Sequence, residues 1–153
     1  MISIDSKSDR FVRDTLLNLY EGGQRDFQQI NLLGANLVRL SLKRVNFMKA
    51  ILRGGNLQNI DLEFADLSGA NLEQALLQKS ILDGANLWLA NLSRANLSGA
   101  SLRDAMLVGA NLKRACLKDA DMVGACYDAT TQFPQGFNPE AAGMQKVEPA
   151  WMP

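Results

Sequence analysis

The most reactive side chains in this sequence are two thiols, Cys116 and Cys126. A thiolate nucleophile works with a base beside it, usually histidine, and the 153-residue chain contains no histidine. The same gap removes the commonest metal ligand, and two cysteines are too few for a four-ligand zinc site or a disulfide scaffold. Asp119 and Asp121 form a carboxylate pair, but acid–base catalysis needs a cleft that sets two groups in unlike environments. Acidic residues recur along the whole chain, so this pair is not singled out. No glycine-rich phosphate loop follows a strand pattern. These residues point away from an enzyme and call for no cofactor or metal.

The remaining composition narrows the partners. Sixteen Lys+Arg balance sixteen Asp+Glu, so no net charge draws the chain to nucleic acid or to an anionic membrane. There is no direct nucleic-acid signature and no apolar run near the roughly 18 residues of a membrane span. The opening MISIDSKSDRF lacks the basic-then-apolar order of a secretory signal, so a cytoplasmic protein is expected.

The elements that position these residues follow from a period of five. Stepping by five from Phe27 to Tyr127 gives 21 centres, all leucine except Phe27, Phe47, Met122 and Tyr127. Two residues before a centre the residue is usually Ala, one before it is usually Asn or Asp, and Gly recurs two after it. A helix turns about 100° per residue and would scatter these leucines around its surface. A strand alternates faces and would send successive leucines to opposite sides. The chain must therefore turn once per repeat in one sense, as a solenoid with very short sides. The leucines point inward, Ala fills the corner, and Asn, Asp, Ser and Gly suit the turns.

The A-(N/D)-L-x-x motif resembles the pentapeptide-repeat family over residues 25–129, and the tail resembles stretches that follow the repeats in members from photosynthetic bacteria. The resemblance implies a right-handed quadrilateral β-helix with four repeats per coil, an all-β solenoid of about five coils. Residues n and n+20 then stack about 4.8 Å apart. Phe27 lies beneath Phe47, and Leu67, Leu87, Leu107 and Tyr127 continue that core column, with the aromatic rings filling a wider section.

Open ends of a solenoid need covers. Residues 1–24 read as an N-terminal helical cap: Ser8 or Asp9 can start a helix carrying Phe11, Val12, Leu16, Leu19 and Tyr20, and Gly22-Gly23 stops it. Residues 130–153 read as a C-terminal cap and tail, in which Asn138, Pro139 and Gly143 mark a short helix and Phe133, Phe137 and Trp151 cover the last coil. Ile30, Leu40, Val45 and Ile60 replace the inward Ala and should widen the early coils, whereas Gly55 is smaller than Ala. Ser80 is the one polar inward residue and should bond to a nearby carbonyl.

Numbering the four sides from Phe27, sides two and three carry Arg39, Arg53, Lys79, Arg94, Lys113, Arg114 and Lys118 against Glu73 and Asp119. Sides one and four are mainly acidic, through Asp26, Asp61, Glu63, Asp66, Asp83, Asp104, Asp121 and Asp128 against Lys43, Arg44, Lys49 and Arg103. The division reads as a solvated surface or as a partner-steering face. On side one, Trp88, Leu89, Met106 and Val108 point outward as an apolar patch with Asp66 and Asp104 at its rim. The patch is either a partner-binding site or a surface covered by the chain's own tail or helix. Cys116 and Cys126 lie two sides apart, too far to bridge, and read as buried or inert thiols.

These features favour a non-enzymatic protein-binding or scaffold module with an unknown protein partner, monomeric or weakly dimeric. The alternative implied by the resemblance is a DNA-mimicking, gyrase-interacting protein; its rod would be strongly acidic, and the two basic sides here disfavour it.

Overall fold

A computed structural model describes residues 9–148. Each repeat follows one local plan. The residue before the centre makes a parallel bridge to the residue twenty positions on, from Asp26↔Asn46 through Met106↔Cys126. The centre points inward, and the next two residues turn the corner. The second turn residue has a left-handed backbone in every repeat from Gln29 (φ 58°) to Gly124 (φ 77°), which is why Gly recurs there. Because a corner comes every five residues, regular strand almost disappears. Among the described residues only β1 (Cys126–Tyr127) and β2 (Gln145–Lys146) reach two residues, and they pair in parallel.

Coils are joined by backbone bonds of 2.7–3.1 Å, such as Phe27 N–H to the Asn46 carbonyl and Asn46 N–H to the Arg25 carbonyl. The Asn or Asp before a centre accepts the N–H two residues on, as Asn91 does from Ser93. This local bond occupies the one amide per repeat that the ladder leaves over.

The core is a stack of inward side chains. Of the 21 centres, 20 are buried, and Phe27 and Phe47 meet with ring centroids 6.0 Å apart. Ile30, Leu40, Val45 and Ile60 sit inward as their positions require. A β-carbon on Gly55 would lie 2.9 Å from Leu57 Cδ1, so that corner has no room for one. Two expectations are corrected here. Leu117 is only partly buried, because no further rung among the described residues covers side three at the C-terminal end. Ser80 is 1% exposed, yet its hydroxyl has no hydrogen-bond partner. Its column neighbours, Ile60 and Ala100, are apolar, and the carbonyls of Leu77 and Ser80 are taken by the Ser80 and Ser101 amides.

The ends are built differently. Helix α1 (Asp9–Glu21) buries Val12 and Leu16, one turn apart, against the first coil. It stops in a Schellman arrangement: Gln24 N–H bonds the Leu19 carbonyl and Gly23 N–H the Tyr20 carbonyl, with Gly23 at φ 95°. Side chains from this segment reach first-coil carbonyls: Arg13 to Val38 (2.7 Å), Tyr20 to Lys43 (3.1 Å) and Gln24 to Asp26 (2.7 Å). At the other end one extra residue shifts the register, so Gln132 pairs with Asn111. Phe133 packs edge-on to Tyr127 at 5.5 Å and stacks on Phe137 at 5.1 Å. The short helix expected at Asn138 is a single turn: Asn138 Oδ1 accepts Ala141 N–H, and Gly143, at φ 75°, ends it. Ser8 and Trp151 lie outside the described residues, and the Phe11 side chain likewise.

Candidate functional site

Side one presents its outward residues in three columns. The column before the centres runs Asp66, Asn86, Met106, Cys126. The column after them runs Met48, Ser68, Trp88, Val108, Asp128, and the corner column includes Leu89 and Gly109. Trp88, Leu89 and Met106 are 49%, 52% and 47% exposed, while Val108 is half-buried. The other exposed large apolar residues, Leu33, Ile51, Phe64, Leu76, Ile81 and Val123, are spread over the other three sides.

The patch has defined supports. Asn86 Oδ1 accepts Trp88 N–H at 3.1 Å and fixes the turn that projects the indole. Leu89 lies across Gly109, where an added β-carbon would come within 2.6 Å of Leu89 Cδ2. Gly109 is therefore favoured twice, by its φ of 69° and by the Leu89 side chain lying over it. Towards the N-terminus the patch ends at buried Ser68 and at Asp66, whose carboxylate bonds Ser68 N–H and Asn86 Nδ2.

Towards the C-terminus it ends at a network that sequence reasoning missed. The buried Asp128 carboxylate accepts Gly109 N–H (3.1 Å), together with the amides and hydroxyls of Thr130 and Thr131. Burial raises its pKa, but the bonds from Thr130, Gly109 and Thr131 outweigh this and hold it below the ordinary carboxylate range. The only sequence signal was the D-x-T-T string at the point where the five-residue period stops.

Helix α1 bonds to sides three and four at the far end, and β2 extends side one beyond Tyr127. Neither of these described segments is bonded to the Trp88 turn.

The charged sides differ in pairing. Lys43 meets Asp61 (3.2 Å) and Glu63 (2.7 Å), and Arg103 meets Asp121 (2.8 Å). On sides two and three Arg53 meets Glu73 at 3.4 Å, but Arg39, Lys79, Arg94, Lys113, Arg114 and Lys118 make no ion pair among the described residues.

The cysteines correct an expectation. Both are free, Cys126 is half-buried, and Cys116 is exposed rather than buried. Its Sγ lies 3.2 Å from the Ser98 hydroxyl. That contact and the Lys118 amide draw the thiol below its ordinary pKa. No group of His, Cys, Asp or Glu that could hold a metal occurs among the described residues. No helix there is long and apolar enough to cross a membrane.

A family model described as pentapeptide repeats matches residues 24–54, 56–87 and 89–126. No curated protein matches. Among solved structures, a pentapeptide repeat protein from Nostoc PCC 7120 is 35% identical, covers 88% of this chain and 94% of its own, and superposes with a TM-score of 0.66. A pentapeptide repeat protein from the Arabidopsis thaliana thylakoid lumen is 27% identical, with 67% and 66% coverage and a TM-score of 0.50. Another, from the cyanobacterium Cyanothece 51142, is 30% identical, with 78% and 97% coverage and a TM-score of 0.46.

Proposed function

The chain belongs to the pentapeptide-repeat family and is a right-handed quadrilateral β-helix, and on that premise we propose that it is a non-enzymatic scaffold that binds another protein through side one. The observation that carries the proposal is the half-exposed cluster of Trp88, Leu89 and Met106 gathered on one side, whereas the other exposed large apolar residues are spread over the remaining three. Tryptophan and methionine are enriched at interface centres, and the polar rim formed by Asp66 and Asp104 suits such a centre. Leu89 held over Gly109 reduces the freedom lost on binding.

The finer architecture belongs to the same proposal: about five coils over residues 25–129, a helical cap in residues 1–24, and a C-terminal cap in residues 130–153. The bonds from Arg13, Tyr20 and Gln24 to first-coil carbonyls support the N-terminal cap, since they occupy acceptors that another chain would otherwise take. A cytoplasmic, monomeric or weakly dimeric protein is part of this reading, although one similar structure comes from a thylakoid lumen.

The test is quantitative capture from the source cell with wild type and Trp88→Ala, with the affinity for each captured protein then measured. Trp88→Ala should weaken the association by about 2 kcal/mol or more, the scale of an aromatic hot spot, and leave the melting temperature unchanged. A variant that melts earlier yet binds as before would assign Trp88 to intramolecular packing instead.

A further inference from the structure

Interior rungs of side three are held by a repeated set of bonds. Cys116 N–H bonds the Ala95 carbonyl, Leu97 N–H the Cys116 carbonyl, and Gly99 N–H the Lys118 carbonyl, each at 2.9 Å. One rung higher the same set is open. The Ala115 carbonyl, Leu117 N–H and Asp119 N–H bond nothing among the described residues. Of the other columns, side one is covered by β2 and side two by Gln132, whose carbonyl takes Leu112 N–H; among the described residues side four is bonded only through Gly124 N–H to the Gly143 carbonyl, yet its centre, Met122, is buried. Leu117, beneath the gap, is the one centre that is not buried.

We propose that this rung, residues 115–119, takes an extended segment of another protein as an added strand, and that the segment carries an apolar residue followed by an acidic one. Three backbone bonds would form. The residue before the apolar one would donate to the Ala115 carbonyl and accept from Leu117, and the acidic residue would accept from Asp119. The apolar side chain would complete the cover over Leu117. An open ladder edge with a half-exposed core residue is the geometry used in strand addition.

The acidic requirement follows from how this rod pairs its own coils. Lys43 with Glu63 and Arg53 with Glu73 both join the residue after one centre to the residue after the centre stacked on it. Lys118 holds that place on the terminal rung and has no ion pair. Lys113 and Arg114 are likewise unpaired beside it, against the single acid Asp119. A second copy stacked head to tail does not fit this site. It would place Val38 and Arg39 over Lys118 and Asp119, and its Val38 carbonyl is already held by Arg13. Two copies meeting tail to tail would oppose Lys118 with Lys118. The site is on the side opposite the Trp88 patch, so it stands independently of that proposal.

The test uses the full chain and a fluorophore-labelled peptide, acetyl-Gly-Thr-Asn-Leu-Glu-Thr-Gly-amide, followed by anisotropy up to about 1 mM, a concentration that still detects weak binding. The peptide should bind. N-methylation of its Asn amide, which removes the donor to Ala115, should weaken binding about tenfold or more. Replacing its Glu by Lys should weaken it likewise, and Lys118→Glu should reverse that preference. Lys118 is exposed, so the variant should melt as wild type does. Trp88→Ala should bind the peptide as wild type does. No binding at about 1 mM, equal binding of the N-methylated peptide, or indifference to Lys118→Glu would each overturn the proposal.

Discussion

Replacing Ser80 by Ala should make the protein more stable. Ser80 is 1% exposed and its hydroxyl has no partner, with apolar Ile60 and Ala100 stacked on either side. A buried polar group without a hydrogen bond costs about 1–3 kcal/mol. Removing the oxygen leaves a void smaller than a methyl group, worth less than about 1 kcal/mol. The net gain is roughly 1–2 kcal/mol. For a domain near this size each kcal/mol moves Tm by about 2–4 °C, so Ser80→Ala should melt about 2–8 °C higher. Urea melts at constant slope give the free energy directly. The reverse change one coil on, Ala100→Ser, should destabilise by a similar amount, because Ala100 is equally buried. A Ser80→Ala protein that melts at or below wild type would show that the hydroxyl is hydrogen-bonded in solution and would refute the reasoning.

Deleting residues 1–24 should uncover Phe27, Leu32 and the first-coil carbonyls and produce self-association in light scattering; a truncated chain that stays monomeric with an unchanged melt would deny the helix a capping role. Asp128→Ala should cost about 2–4 kcal/mol in urea melts by leaving Gly109 and the two threonines without their acceptor. Because the folded-state pKa of Asp128 is lowered, its stabilising contribution is complete above about pH 4 and is lost as pH falls through the lowered value, so acid titration should weaken wild type more than the variant over that window. Cys116 should react with a disulfide reagent faster than Cys126, by mass spectrometry of the singly modified protein, since it is exposed and its thiol is more acidic than usual. The protein should leave gyrase supercoiling unaffected at low micromolar concentration; inhibition would revive the DNA-mimic reading.

The core was legible because one residue type marks it: leucine every five residues allows no helix or strand, and the n/n+20 bridges follow that spacing. The left-handed corner was legible only in part. Seven glycines announce it, but Phe64 and Leu89 occupy the same corner at φ 57° and 55°, which their types do not suggest. The end structures were harder to read, because they depend on single residues outside the period. One extra residue after Tyr127 shifts Gln132 by one register position and builds the Asp128 network. Asn138 caps its turn as its type suggests, but Gly143 ends that turn before it becomes a helix. Cys116 precedes a centre, so its spacing places it facing outward, and it is exposed there as Ile51, Leu76, Ile81 and Met106 are in the same position.

The free Trp88 surface is the central claim, and quenching tests it most directly. In a Trp151→Phe background, Trp88 is the only tryptophan, so acrylamide reports on it alone. At 49% exposure the indole should be quenched readily in the isolated, dilute protein, and should be protected once a captured partner is added. A Trp88 shielded from acrylamide in the isolated protein at high dilution would mean that the chain covers its own patch, and would contradict the account.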